Sequence, residues 1–361
     1  MVLVSTRGDR VLSEVRHMKL TPRKQAVLKA IVKAYIETGE PVGSKNLTFL
    51  LENAPSSATL RNEMSELCEL GFLEQPHTSA GRIPTSRGYR FYIESLSAIE
   101  EPVAEIKSFI DDSLAGYNCE PENIPVLAAQ TLSHLTGLPA ISCLITVRPP
   151  VIKRIELLSI GRYSAMLLII TDDGRTRSRT FRKSRNFTEE LEQQFRLILK
   201  KCVVGKQIGE LTKAYLQNVI AKAGPYALEF MPLFSIVFEI ASEIEETNLK
   251  LKGENALYNI CGDEISARRV LSLIKQRDPI ISILENVGDG VGAIFGADTV
   301  YSELEFGTFI AAKFKSADKY KGYIGVIGPN RMSYEQIMPG IEYIAKRLTI
   351  IMTEAQRDME D

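Results

Sequence analysis

Apolar residues recur at helical spacing early in the chain: Val27, Ile31, Ala34 and Tyr35 predict an amphipathic helix that starts at Pro22. Thr21 supplies an N-cap, and Pro22 suits the first helical position, where a missing N–H costs nothing. Gly39 stops this helix, EPVG (40–43) makes a tight connection, and Ser44 reads as the N-cap of a short second helix bearing Leu47, Leu50 and Leu51. A third helix starts near Ser56 or Ser57. On it Leu60, Met64, Leu67 and Gly71 share one face, while Ala58, Arg61, Asn62 and Ser65 share the opposite one. FLEQ (72–75) then reads as a short strand and PHTSAGR (76–82) as a turn-rich tip. IPTSRGYRFYIESL (83–96) reads as a return strand and a helix carrying Tyr89, Phe91, Tyr92 and Leu96.

After a hinge around Glu100 to Pro102, residues 103–137 read as two helices, the second with Leu127, Ala128, Leu132 and Leu135. Apolar or alternating runs at 140–147, 152–161, 164–174 and 175–181 predict strands, with TDDGRT (171–176) as a hairpin. A mainly helical stretch is expected from Thr188 to Leu251, with Leu191, Phe195, Ile198 and Leu199 on one face and AGPYALEFMP (223–232) breaking the array. Strands return near 280–328, and a closing helix runs from Tyr334 to about Met352 with Ile337, Ile341, Ile344, Leu348 and Ile351.

The outward face of the third helix is small, then Arg, then Asn, then small. Arg61 can donate two hydrogen bonds to guanine O6 and N7, and Asn62 can pair with adenine N6 and N7. Ala58 and Ser65 let the backbone approach the groove floor. Ser57 and Thr59, in the first turn, suit phosphates. An Arg–Asn pair alone is an ordinary solvated face; the hairpin that follows gives it a context. Three helices and a hairpin make a winged helix-turn-helix, in which the third helix enters the major groove while His77, Thr78, Ser79 and Arg82 of the wing reach the backbone or minor groove.

Composition narrows the alternatives. With 361 residues, 45% of them hydrophobic, the chain holds two to three domains with sizeable cores. Its five cysteines are scattered without a CxxC pair, which argues against a zinc site or a disulfide scaffold. No apolar leader or run long enough to span a bilayer is present, so a soluble, cytoplasmic protein is expected. Residues 1–98 carry 13 Lys and Arg against 10 Asp and Glu, although the whole chain has a formal net charge of −1. That mild asymmetry permits a nucleic-acid-binding front end, preceded by a basic tail over 1–20. Enzyme readings fail: GDGVGA (288–293) fits G-x-G-x-x-A but IFGADT after it is a poor helix, and His17, His77 and His134 stand far apart. Asp172 and Asp173 read as turn formers, and no catalytic residue, metal or cofactor is called for.

AIVKAYIETGEPVGSKNL (30–47), residues 56–96 and GYIGVIGPNRMSYEQIMPGIEYIA (322–345) together resemble the heat-inducible transcription repressor HrcA family. Leu60, Cys68 and Lys45 depart from its usual Ile, acidic residue and Arg. GAIFGADTVYSELEFGTFIAAKF (292–314) lacks the Gly-Glu-Asn character often seen there. The resemblance implies an α+β multidomain chain: a winged helix-turn-helix at 21–98, a discontinuous GAF-like α/β domain at 103–185 and 263–355, and an inserted, mainly helical dimerisation domain at 186–262. It implies a dimeric negative regulator of chaperone genes that binds double-stranded DNA at an inverted-repeat operator, loses activity on heat stress and is kept competent by the GroEL chaperonin. The alternative is a transcription regulator gated by a small molecule in the GAF-like domain. In IGPNRM (327–332), Gly328 and Pro329 read as a turn at a strand end, with a binding role open for Arg331.

Overall fold

The computed structural model of the chain describes residues 20–52, 54–78, 80–96, 101–115, 123–146, 148–184, 187–245, 248–316 and 320–360. The expected tail at 1–20, apart from Leu20, lies outside them, as do Ser79 and Glu100.

The head opens with α1 (Pro22–Thr38), whose N-cap Thr21 accepts from the Lys24 N–H and whose C-cap Gly39 turns left-handed at φ 74°, sending its N–H to the Tyr35 carbonyl. In α2 (Ser44–Leu50) Ser44 is the first helical residue and Gly43 takes the cap position. The Ser44 hydroxyl is instead paired with Ser57 at 2.9 Å, which ties α2 to the start of α3 (Ser57–Glu69). Leu60, Met64 and Leu67 of α3 are buried with Val27, Leu28 and Ile31 of α1. Two-residue strands β1 (Leu73–Glu74) and β2 (Ile83–Pro84) pair antiparallel, and α4 (Ser86–Glu94) closes the head with Tyr89 and Tyr92 buried.

Behind it, α5 (Ala104–Leu114) and α6 (Ile124–Thr136) lead into β3 (Ala140–Thr146). This strand belongs to a five-stranded antiparallel sheet with β7 (Asn248–Lys252), β8 (Val291–Phe295), β9 (Gly307–Ser316) and β10 (Tyr320–Pro329), in the order β7-β3-β10-β9-β8. Period-two alternation sends Leu144, Ile310 and Ile324 to the face covered by α6 and the closing helix α13 (Tyr334–Glu360). Cys143, Phe309 and Tyr323 face the other way, onto α11 (Glu264–Ile274) and α12 (Arg277–Leu284), which follow the short α10 (Ala256–Cys261).

Between β3 and β7 the chain builds a separate unit. Strands β4 (Ile152–Gly161), β5 (Ser164–Thr171) and β6 (Thr176–Arg182) form a three-stranded antiparallel sheet. Its Leu157, Leu167 and Ile169 pack on Phe195 and Leu199 of α7 (Glu189–Cys202) and on Phe230, Phe234 and Val237 of α9 (Ala227–Glu245). Helix α8 (Lys213–Lys222) completes this core with Leu216 and Val219. The interruption therefore runs, among the described residues, from about 148 to 245 and includes β4–β6, in place of the expected 186–262. Those strands bury one face under their own helices, and β7 already pairs with β3.

Four local expectations are corrected. Residues 248–252 form a strand on the sheet edge, and the segment near 280 is helical, with Ile280, Ile283, Leu284 and Val287 buried at i, i+3, i+4 and i+7. Helix α9 runs through Pro232, which has no N–H to offer the carbonyl of Leu228 four residues earlier, and α13 extends to Glu360. Asp172 does hold the turn, accepting from the Val151 N–H at 2.8 Å. Asp173 holds it too, accepting from the Thr171 hydroxyl and from the Arg175 N–H at 3.4 Å; its side chain is also buried against Arg175 at 3.2 Å, and the Tyr320 hydroxyl of β10 donates to its carbonyl at 3.2 Å. Among the described residues no helix is long and apolar enough to cross a membrane, and no group of His, Cys, Asp or Glu is placed to hold a metal.

Candidate nucleic-acid interface

The N-terminal turn of α3 is built by Ser56, which caps it by accepting from the Thr59 N–H at 3.2 Å while its hydroxyl meets the Thr59 hydroxyl at 2.9 Å. Ser57 and Thr59 are half-buried in these contacts. Ala58, Arg61, Asn62 and Ser65 are exposed along the opposite face from Leu60, Met64 and Leu67. Arg61 and Asn62 have no side-chain partner among the described residues, so their donors are available.

Two of the three acids of α3 are met by bases of α1: Glu66 by Lys24 at 2.6 Å and Glu63 by Arg23 at 4.0 Å, while Glu69, exposed in the last turn, has no ion pair among the described residues. The Glu66 hydrogen bond pushes the Lys24 ammonium above its ordinary range. Exposed pairs add little stability, but they neutralise carboxylates that would repel a phosphate backbone.

The wing is held from three sides. Beyond the two-residue ladder, Val42 forms an antiparallel bridge with Arg82, with N–H···O distances of 3.0 and 2.9 Å. The Gln75 amide donates to the Thr78 and Ala80 carbonyls at 2.9 and 3.1 Å, closing the tip on itself. Arg82 donates through Nε to the Cys68 sulfur at 3.1 Å, so β2 is drawn against the last turn of α3. His77 and Thr78 are exposed at the tip, whereas Arg82 is half-buried and joined to α3. Ser79 lies outside the described residues.

Sequence reasoning missed three supports. Gln75 is one. Arg87 stacks over the Phe72 ring at 4.6 Å and donates to the Leu70 carbonyl at 3.0 Å, placing a cation at the C-terminus of α3. Thr85 caps α4 and donates to the Gly71 carbonyl at 2.7 Å. The Thr85 signal was present as a Thr three residues before Gly88, and Gln75 bonds only three and five residues on, within the wing tip, whereas the Arg87 contact spans 17 residues. Arg331 is no part of this face: its guanidinium lies over Gly39 at the C-terminus of α1, 2.5 Å from where a Cβ would stand.

Known proteins share this architecture. A family profile described as the winged helix-turn-helix transcription repressor, HrcA DNA-binding, matches residues 19–96, and one described as the HrcA protein C terminal domain matches residues 126–338. The chain belongs to the HrcA family. A heat-inducible transcription repressor HrcA from Acholeplasma laidlawii is 31% identical over 345 residues, covering 94% of this chain and 99% of the relative. The HrcA of Thermobifida fusca is 31% identical over 332 residues, covering 91% and 95%. A crystal structure of a hypothetical protein at 2.2 Å resolution superposes with a TM-score of 0.67 at 26% identity, covering 93% of this chain and 100% of that one. Residues 19–96 are thus a DNA-binding winged helix of the HrcA type, followed by a body of mixed helix and sheet.

Proposed function

We propose that the chain represses heat-shock genes by binding an inverted-repeat operator as a homodimer, with Arg61 and Asn62 reading base edges in the major groove. The exposed, unpartnered face of α3 carries this reading. Ser57 and Thr59 at its N-terminus meet phosphates, Ala58 and Ser65 admit the groove floor, and His77, Thr78, Ser79 and Arg82 brace the wing against the backbone.

One winged helix covers few base pairs, so an inverted repeat calls for two heads related by a two-fold axis. The inserted unit supplies the candidate seam. An apolar groove of about 640 Å³ runs between α8 and α9, lined by Leu216, Ile220, Met231, Phe234 and Phe238, and Leu228 on the same helix is 81% exposed. A second copy of the chain covers it in this reading. Heat unfolds the body and separates the heads, and the GroEL chaperonin restores the folded fraction.

Footprinting on DNA upstream of the chaperone genes, with sedimentation of the same sample, tests the proposal. Protection of two half-sites in inverted orientation by a dimer is expected. A monomer at micromolar concentration that still binds tightly and one-to-one contradicts it.

A further inference from the structure

The head does not hang from the body on a tether; two of its helices, α1 and α4, sit on three segments of the body. Arg90 of α4 pairs with Asp298 just beyond β8 and lies over the Phe295 ring, 5.5 Å from its centroid. On the same helix, Tyr92 donates to Glu335 in the first turn of α13 at 2.7 Å. Arg331 covers the C-terminal end of α1 at Gly39, where the helix dipole presents its negative pole. Contacts from separate segments of each body define an orientation, because a single contact leaves rotation free.

The Arg90 contact has the character of a fixed bearing. Its side chain is 12% exposed and that of Asp298 26%, so the pair is largely shielded from water. Asp298 is itself held rigid. It ends a tight turn at 296–298 in which Gly296 lies so close to the Leu304 carbonyl that a Cβ would stand 1.6 Å from it, and the Thr299 hydroxyl donates to the Gly296 carbonyl at 2.7 Å. The guanidinium meets the fixed carboxylate through one nitrogen and lies over the Phe295 ring, so its plane is set as well as its distance, which a lysine ammonium does not provide.

We infer that Arg90 is a positioning residue for operator recognition: by gripping Asp298 it fixes the bearing of the head on the body, and so sets the half-site spacing that a dimer accepts. This rests on the reading of the chain as a dimer on an inverted repeat. Arg90 lies on α4, away from the α3 face, and acts through the direction in which that face points. Two heads with fixed bearings bind cooperatively only where the DNA presents its half-sites at the matching distance and helical phase, whereas loosened heads tolerate several spacings with less gain from linkage.

The test uses the full-length chain and the footprinted operator, rebuilt with base pairs added or removed between the half-sites, beside a single half-site duplex. Wild type, Arg90→Lys, Arg90→Ala, Asp298→Ala and the double alanine variant are titrated, with unfolding midpoints confirming that each is folded. Wild type is expected to lose about tenfold or more when the spacing changes by half a helical turn, while Arg90→Ala and Asp298→Ala respond by less than about threefold. The double variant matches either single one, Arg90→Lys falls between, and all bind the half-site duplex alike. A folded Arg90→Ala with the wild-type spacing profile, or one that loses affinity equally on the half-site duplex, overturns the assignment. A flat wild-type profile overturns the dimer reading and this inference with it.

Discussion

The Tyr92 hydroxyl donates to a Glu335 carboxylate oxygen at 2.7 Å, joining α4 of the head to the first turn of α13. Three residues earlier, Tyr89 packs its ring 6.0 Å from that of Tyr334, and its buried hydroxyl has no hydrogen-bond partner among the described residues. The two tyrosines therefore predict different outcomes. Tyr92→Phe lowers unfolding stability by about 1–2 kcal/mol through loss of a hydrogen bond to a charged acceptor. Tyr89→Phe removes an unpaired buried hydroxyl and leaves stability level or higher. Thermal unfolding of both variants decides, and equal losses contradict the assignment.

Burial pushes the Tyr89, Tyr334 and Tyr320 phenols well above their ordinary range, and at Tyr92 the hydrogen bond to Glu335 adds to it. The unfolded chain releases these protons near pH 10. The folded chain keeps them, so it binds more protons and stability falls as pH rises above about 10, being fully present below. Denaturant midpoints are expected to hold to about pH 9.5 and drop by about pH 11, and Phe at 320 and 334 should flatten that drop. A level wild-type profile through this window contradicts it.

Asp173 and Arg175 form a pair with side chains 6% exposed at the seam between the inserted unit and β10, where Arg175 also donates to the Ile244 carbonyl at 2.7 Å. Removing the acid strands a buried guanidinium. Asp173→Ala is expected to cost about 3 kcal/mol or more, whereas a paired apolar replacement of both residues costs much less. Equilibrium unfolding of the single and double variants separates the two cases.

The head was legible because its signals are local. The Thr21 cap, the Gly39 stop and the split between Leu60, Met64, Leu67 and Arg61, Asn62, Ser65 all lie within a few residues of one another, and each element stands where they put it. The segment 277–287 shows legible information misread: Ile280, Ile283, Leu284 and Val287 carry helical spacing, yet strands were expected from about 280. Other features are set by partners far away in sequence. The inserted unit begins at β4 because Leu157 and Ile169 meet Phe195 and Phe230, and the seating of the head rests on Arg90 meeting Asp298 across 208 residues. The dinucleotide-like GDGVGA leads into β8 and not a helix.

Heating supplies a further prediction. Unfolding rates rise about 3–6-fold per 10 °C, and β5 and β9 carry AMLLII (165–170) and FIAAKF (309–314), apolar runs buried in the body that become adhesive once exposed. Operator binding and the circular dichroism of the body, followed on one sample through a temperature ramp, are expected to fall together. Adding chaperonin raises the active fraction and leaves the intrinsic affinity unchanged. Binding lost while the body remains folded and dimeric contradicts this account of heat sensing.

The central claim is that the outward face of α3 reads base edges, and equilibrium titration of Arg61→Ala and Asn62→Ala against operator and random duplexes tests it most directly. Each substitution is expected to cost about 1–3 kcal/mol on the operator and little on random DNA, because base contacts specify and phosphate contacts do not. Arg82→Ala, in the wing, serves as the contrast: it lowers affinity for every sequence and flattens the salt dependence. Equal losses on operator and random DNA for Arg61→Ala, or no loss on either, contradict the claim that this face reads sequence.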